Sequence, residues 1–368
     1  MPRAFTSFSL SNVTLGTEAI NWSLGVTSTD FVHVGTPVSV AQRSIGVAFL
    51  VPVIIVGFLG NSLVLASVAK YPHLRTSSNL LVVSLAVSDI FTSTVLTGII
   101  VVAYATNGRS FGYQTHGNSG NLLCQIFGFL MMQSGICSTM CMTLIAINRY
   151  FIVCKKQGVL KAISKRWTVL LSVCAHLYGF VFAAIPLLGI SSGYHFKQVE
   201  LICLFDASGK GINFFIAGII FNFSLPYPTI IYCYMRIWMA IRKGKRETHP
   251  QSLSQRNINK RNIMVTKSLF FAFLTYTLCI TPHYWFYMVD PRKGAPFGVS
   301  SLFFVNSTMN SLIYGWKNPS FRRSYGKILR RFGSSFSDWC RWECCGGGTS
   351  SSADAFTVSS QLPHSLDP

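Results

Sequence analysis

Acidic residues are scarce in this chain: 11 Asp and Glu stand against 31 Lys and Arg in 368 residues. That shortage excludes most carboxylate chemistry. Asp89 is the one carboxylate inside a long apolar stretch and has no acidic neighbour there, so neither a paired-carboxylate site nor another catalytic cluster is visible, and no enzyme is expected. Charge of either sign is thin, at 11% of residues against 50% hydrophobic, which sets the chain apart from soluble domains. Internal repeats, broken helices and multiple intramembrane charges, the marks of a multi-span transporter, are missing. So is the alternation of a barrel strand. The first 43 residues are Ser/Thr-rich and lack the apolar core of a cleavable signal, so the first apolar run serves as the targeting signal.

What the sequence does have is long uncharged runs: Ser44–Ala69, Leu122–Asn148, Trp167–His195, Ile212–Met235, Ser268–Val289 and Gly294–Trp316, with Ser77–Asn107 interrupted only by Asp89. A helix crosses the hydrocarbon of a bilayer in about 20 residues. Seven such runs predict an all-α membrane protein, a seven-transmembrane helix bundle over 44–316. With the amino terminus outside, the outer segments hold Arg3, Arg43, Arg109, Lys197, Lys210, Arg292 and Lys293, and the other 24 basic residues collect at the inner face. This asymmetry orients the chain, with the carboxyl terminus cytoplasmic. It also assigns the net charge of +20 to anionic inner-leaflet lipid rather than to nucleic acid.

In that orientation the segment 1–43 is an extracellular, glycosylated amino terminus, with sequons at Asn12-Val-Thr14 and Asn21-Trp-Ser23. Of the 11 cysteines, Cys137, Cys141, Cys154, Cys174, Cys233 and Cys279 read as small buried hydrophobes. Cys124 and Cys203 are the two expected to face the oxidising exterior, and a disulfide between them is predicted. After the last span, 317–333 places Phe321, Tyr325, Ile328, Leu329 and Phe332 on one face, an amphipathic eighth helix along the membrane. Cys340, Cys344 and Cys345 follow as candidates for palmitoylation. The tail 334–368 is expected to be disordered.

Six of the seven runs carry or end in a short signature: Gly60-Asn61, Ser84-Leu-Ala-Val-Ser-Asp89, Asn148-Arg149-Tyr150, Pro226 with Tyr234, Cys279-Ile-Thr-Pro282, and Asn310-Ser-Leu-Ile-Tyr314. Together they resemble the rhodopsin-like (class A) G protein-coupled receptors from about Ser44 to Phe332. Within that family the melatonin receptors are most similar, through Ile145-Ala-Ile-Asn-Arg-Tyr150, Val82-Val-Ser-Leu-Ala-Val87, Cys233-Tyr-Met-Arg-Ile-Trp238 and Asn310-Ser-Leu-Ile-Tyr-Gly315.

The resemblance implies a plasma-membrane receptor that passes an extracellular ligand signal to a heterotrimeric G protein, with arrestin and receptor kinase as further partners. It implies a switch of Asn148, Arg149, Tyr150, Tyr234 and Tyr314, with Asn148 where most relatives carry an acid that restrains the arginine. It places Asn61, Ser138, Asn306 and Asn310 around Asp89, oxygens able to hold a sodium ion; no other cofactor is expected. The implied ligand pocket is Met131, Met132, Gly135, Phe205, Asn222, His283, Tyr284, Tyr287 and Phe304, suited to a small neutral or amphipathic ligand. The polar contacts for melatonin itself are replaced by Leu187, Ala207 and Asn222. Met131 stands where monoamine receptors carry an aspartate. The alternatives are a multi-span transporter or an opsin-related receptor lacking the retinal lysine, since Phe304 occupies that position and no lysine lies between Lys293 and Lys317.

Overall fold

The computed structural model describes residues 38–112, 121–154, 164–207, 209–246, 253–289 and 295–344. Eight helices make up nearly all of it. They are α1 (Val40–Lys70), α2 (Ser77–Ala105), α3 (Leu122–Cys154), α4 (Lys165–Leu188), α5 (211–246), α6 (Leu253–Val289), α7 (Ser301–Lys317) and α8 (Pro319–Cys344). The first six each contain a segment long and apolar enough to cross a membrane. At 17 residues α7 is the shortest, yet it still reaches the lower limit for a spanning helix.

The burial pattern is inverted relative to a protein bathed in water. Leu170, Leu177, Phe180 and Val181 on α4 and Leu278 and Trp285 on α6 are exposed, while Asn61, Ser93, Ser134, Asn306 and Asn310 are buried. Lipid solvates the apolar exterior, and small or polar residues let the helices approach and hydrogen-bond inside. Gly57 shows the tolerance: a Cβ there would stand 2.4 Å from the Ser93 side chain, so α1 and α2 could not close on each other with any larger residue.

Helix ends follow from local chemistry. Ser39 opens α1 with a capping box, its hydroxyl accepting from the Gln42 amide at 3.2 Å while the Gln42 side chain accepts from the Ser39 amide at 2.9 Å. The helix therefore begins ahead of the uncharged run, with Arg43 inside it donating to the Tyr104 carbonyl at 3.2 Å. The run Trp167–His195 is not one helix. Its helix ends at Leu188, where Gly189 and Gly193 take positive φ (74° and 78°), and its last residues enter a strand. The expected boundary at 333 falls inside α8, whose backbone continues to Cys344 ahead of a run of three glycines. Cys340 lies on that extension. The sequons at Asn12 and Asn21, Cys345 and the tail beyond it lie outside the described residues.

Between α4 and α5 lies a two-stranded antiparallel hairpin, β1 (Tyr194–Lys197) and β2 (Ile202–Phe205), which the all-α expectation did not include. It packs against α3 at the end carrying Cys124. The Cys124–Cys203 disulfide joins them, and the Gln125 side chain donates to the Tyr194 carbonyl at 2.6 Å. Gly128 leaves room for the Tyr194 ring, which a Cβ would meet at 2.5 Å. The Tyr194 hydroxyl reaches across to the Ala183 carbonyl at 2.7 Å. Of the cysteines expected to be buried, Cys174 is exposed on α4 and Cys154 is half-buried.

Candidate functional site

Helix α3 runs through three polar or open regions of the bundle, and each gathers residues from distant parts of the chain. Just below the hairpin is a cavity of about 120 Å³. Met131, Met132, Gly135, Phe205, Asn222, His283, Tyr284 and Tyr287 line it, as do Phe182, Leu204, Phe214, Phe215, Ile280 and Phe303. Phe304 does not. One step along α7 rotates a side chain by about 100°, so Phe303 faces the cavity while Phe304 is fully buried in the apolar cluster with Tyr104 and Phe111.

Two features of the wall could not be read from spacing. An aromatic chain closes the α4–α5 side, with Phe182 on Phe214 at 4.8 Å and Phe214 on Phe205 at 4.9 Å between ring centres. In α5 the turn Ile220–Ser224 is widened to a π turn, which carries buried Asn222 to the cavity, where its carbonyl oxygen accepts from the Tyr178 hydroxyl at 3.1 Å. A charged group stands behind the wall as well. Glu200, in the hairpin turn, is 1% exposed and accepts from Tyr287 and from the Ala295 amide, each at 3.0 Å, and from Ser300. Burial pushes its carboxyl up to about 7, against the lowering effect of these donors and of Lys197. Sequence reasoning passed Glu200 over because a loop acid ordinarily meets water; its place three residues before the bridging Cys203 was the available signal.

Deeper in the bundle Asp89 is 1% exposed and accepts from the Asn310 amide at 2.9 Å. The Asn61 amide ties α1 to α7 through the Ser307 carbonyl at 2.9 Å. The side-chain oxygens of Asn61, Asn306 and Asn310 are all buried with no hydrogen-bond partner among the described residues. Ser138 is buried on α3 without a hydrogen bond to Asp89 among those residues. One carboxylate and several orphaned amide oxygens make a donor set that fits a hard monovalent cation. Beside it, Thr92 in a second π turn (Thr92–Leu96) hydrogen-bonds Ser134.

Below this level α3 is tied to α6. The Thr139 hydroxyl donates to the Gly135 carbonyl at 3.0 Å and also hydrogen-bonds the Tyr276 hydroxyl. Thr139 has only one proton to give, so Tyr276 is the donor across the helices. At the far end of α3, Arg149 is buried, and Asn148 accepts a hydrogen bond from Ser78 of α2. Tyr234 lies within electrostatic reach of Arg149 and Tyr314 while its ring packs on Phe270 and Phe273 of α6. The Tyr314 hydroxyl is buried without a partner among the described residues, and its ring stacks on Phe321 of α8. Tyr150 packs against Tyr232 of α5.

With this geometry in view, residues 60–314 match the family described as 7 transmembrane receptor (rhodopsin family). The melatonin receptor type 1A of Gallus gallus is 32% identical over 293 residues, covering 77% of this chain and 79% of that one. The type 1A receptor of Mus musculus is 30% identical over 76% of this chain and 78% of its own. The crystal structure of squid rhodopsin superposes with a TM-score of 0.71 at 20% identity, over 85% of this chain and 90% of that one.

Proposed function

The chain belongs to the rhodopsin family of seven-transmembrane receptors and is homologous to the melatonin receptors, and from that membership we propose that it transmits the signal of an extracellular, small neutral or amphipathic ligand to a heterotrimeric G protein. It is a multi-pass membrane receptor of a non-enzymatic family. The hairpin end faces the outside and the Arg149 end the cytoplasm, a reading supported by the basic residues gathered at the inner face. Arrestin and a receptor kinase act at that inner face, and glycosylation at Asn12 and Asn21 and acylation at Cys340, Cys344 and Cys345 belong to the same reading.

The observation that carries the ligand class is the cavity wall. Methionine and aromatic rings dominate it, with Asn222, His283, Tyr284 and Tyr287 as its polar groups and no acid or permanent cation among the lining residues. An ammonium ligand would find no counter-ion there. Melatonin would also lose contacts: Leu187 is exposed on the bundle surface, and Ala207 is buried and does not line the cavity. A site lacking its hydrogen-bonding partners discriminates poorly for such a ligand. Full-length receptor in lipid nanodiscs with purified heterotrimer should accelerate guanine-nucleotide exchange above empty discs, and neutral indoles or amphipathic lipids should raise it further. Exchange no faster than with empty discs under every probe, or solute flux in sealed vesicles, would overturn the receptor reading.

Sodium acts in this reading as a stabiliser of the resting arrangement, held by Asp89 with the amide oxygens of Asn61, Asn306 and Asn310 and with Ser138. Replacing choline chloride by sodium chloride at equal ionic strength should lower basal exchange. In Asp89→Asn that sodium effect should vanish. Equal sodium sensitivity in both proteins would remove the cation site.

A further inference from the structure

The buried acid behind the cavity is connected to the cavity by one serine. Ser300 hydrogen-bonds both Glu200 Oε2 and His283 Nδ1, the latter at 3.0 Å, while Glu200 and the imidazole are themselves 3.8 Å apart. His283 is on α6, Ser300 at the start of α7 and Glu200 in the hairpin, so the three meet only through tertiary structure. The turn that aims Glu200 inward carries Leu201 at a positive φ of 55°, an unfavourable conformation for a side chain of that shape. The other imidazole nitrogen, Nε2, has no hydrogen-bond partner among the described residues and belongs to a side chain that lines the cavity.

A serine has a single proton, and that fixes the arithmetic. With Glu200 ionised, Ser300 donates to Oε2 and its oxygen accepts from Nδ1–H, leaving Nε2 with a lone pair toward the cavity. With Glu200 protonated, the proton sits on Oε2, because Oε1 already accepts from Tyr287 and the Ala295 amide. Oε2–H then donates to Ser300, Ser300 donates to Nδ1, and Nε2 carries the hydrogen. The two states differ by one added proton and two internal shifts. A proton arrives at Nε2 from the cavity, the Nδ1 proton passes to the serine oxygen, and the serine proton passes to Oε2.

We propose that Glu200 and Ser300 form a proton relay that sets the tautomer of His283, and so decides whether the cavity offers a ligand a hydrogen-bond acceptor or a donor. The inference rests on the reading of the cavity as the ligand site, and it refines the ligand class. The ionised relay selects a neutral molecule with an N–H or O–H facing Nε2; the protonated relay selects one presenting a carbonyl or ether oxygen. Glu200 and Ser300 are positioning residues, since neither lines the cavity. Among the described residues, the titratable groups around Glu200 are His283 and Tyr287 from α6, Tyr104 from α2, and Lys197 from the hairpin, itself paired with Asp206 at 3.3 Å. Burial holds the Glu200 carboxyl near neutrality, so both relay states lie within reach of modest pH changes.

The test needs no ligand. Full-length receptor with ring-¹⁵N histidine in lipid nanodiscs gives imidazole nitrogen resonances that distinguish the two neutral tautomers from imidazolium, and His283→Gln identifies the signal among the eight histidines. The Nδ1–H form should dominate at pH 8.5 and the Nε2–H form at pH 5.5. Glu200→Gln, whose amide donates to Ser300, should hold the Nε2–H form at both pH values. Ser300→Ala should abolish the pH dependence. One tautomer at both pH values in the unsubstituted protein, an imidazolium at pH 5.5, or a pH switch that survives in Glu200→Gln or Ser300→Ala would overturn the relay. Should Glu200→Gln fail to fold, the unsubstituted protein and Ser300→Ala still decide. Nucleotide exchange reports separately on the receptor reading, so the two can fail independently.

Discussion

Replacing Cys124 or Cys203 with serine should lower the melting temperature of the purified receptor by roughly 10 °C and remove any ligand-stimulated nucleotide exchange. The bond closes a loop of 79 residues, and the chain-entropy relation assigns such a closure about 4.5 kcal/mol. The membrane already restrains the intervening helices, so that figure is an upper bound. The functional loss has a direct structural cause. Both cysteines are fully buried where the hairpin meets α3, and the same hairpin supplies Leu204 and Phe205 to the cavity and Glu200 to the network behind it. Without the disulfide, only non-covalent contacts hold the hairpin: the Gln125 and Tyr194 hydrogen bonds, the ring seated on Gly128, and the Glu200 bonds to Tyr287, Ala295 and Ser300. The double variant should match either single variant, because each loses the same bond. A melting temperature within about 1 °C of the unsubstituted protein would refute this account.

Tyr276→Phe should raise basal nucleotide exchange. In the proposed signalling reading activation moves α6 away from α3; the residue preceding Arg149 in sequence is Asn148, which accepts a hydrogen bond from Ser78. The Thr139–Tyr276 hydrogen bond joins α3 to α6 where Tyr276 is 2% exposed. A net hydrogen bond contributes about 0.5–1.5 kcal/mol. Removing it from the resting arrangement alone should enlarge the active population about two- to tenfold while that state is the minor one. The substitution deletes one oxygen and leaves the ring packing near Tyr227 in place. Asn148→Asp should act oppositely, placing a carboxylate beside the Arg149 guanidinium and lowering basal output. Basal exchange unchanged in Tyr276→Phe would show that this hydrogen bond does not hold α6, and no fall in Asn148→Asp would show that the uncharged residue at 148 does not set basal output.

The spans and the family were legible in the chain because their signals are local. Length and apolarity mark a bilayer-crossing helix one segment at a time, and the motif around Asn148-Arg149-Tyr150 occupies adjacent positions. The cavity was partly legible for the same reason: eight of the nine residues expected there do line it. Phe304 lies outside the cavity because sequence gives a position along a helix, and two neighbouring aromatics on α7 point in different directions. The helix α4 was over-extended because an uncharged run says nothing about backbone handedness, and Gly189 and Gly193 turn the chain into the hairpin.

The chain alone predicted seven apolar spans, and its short motifs carried the resemblance to the rhodopsin family that the family match shows. Both signals reside in composition and in residues adjacent along the chain. The tertiary structure decided what the bundle conceals. It put Glu200 behind a wall that reads as uncharged, gave His283 a serine intermediary, and bonded Tyr276 to Thr139. Such pairs are 100 or 137 residues apart, and only packing brings them together. Burial then makes each polar contact consequential, because a group removed from water must find its partner within the protein.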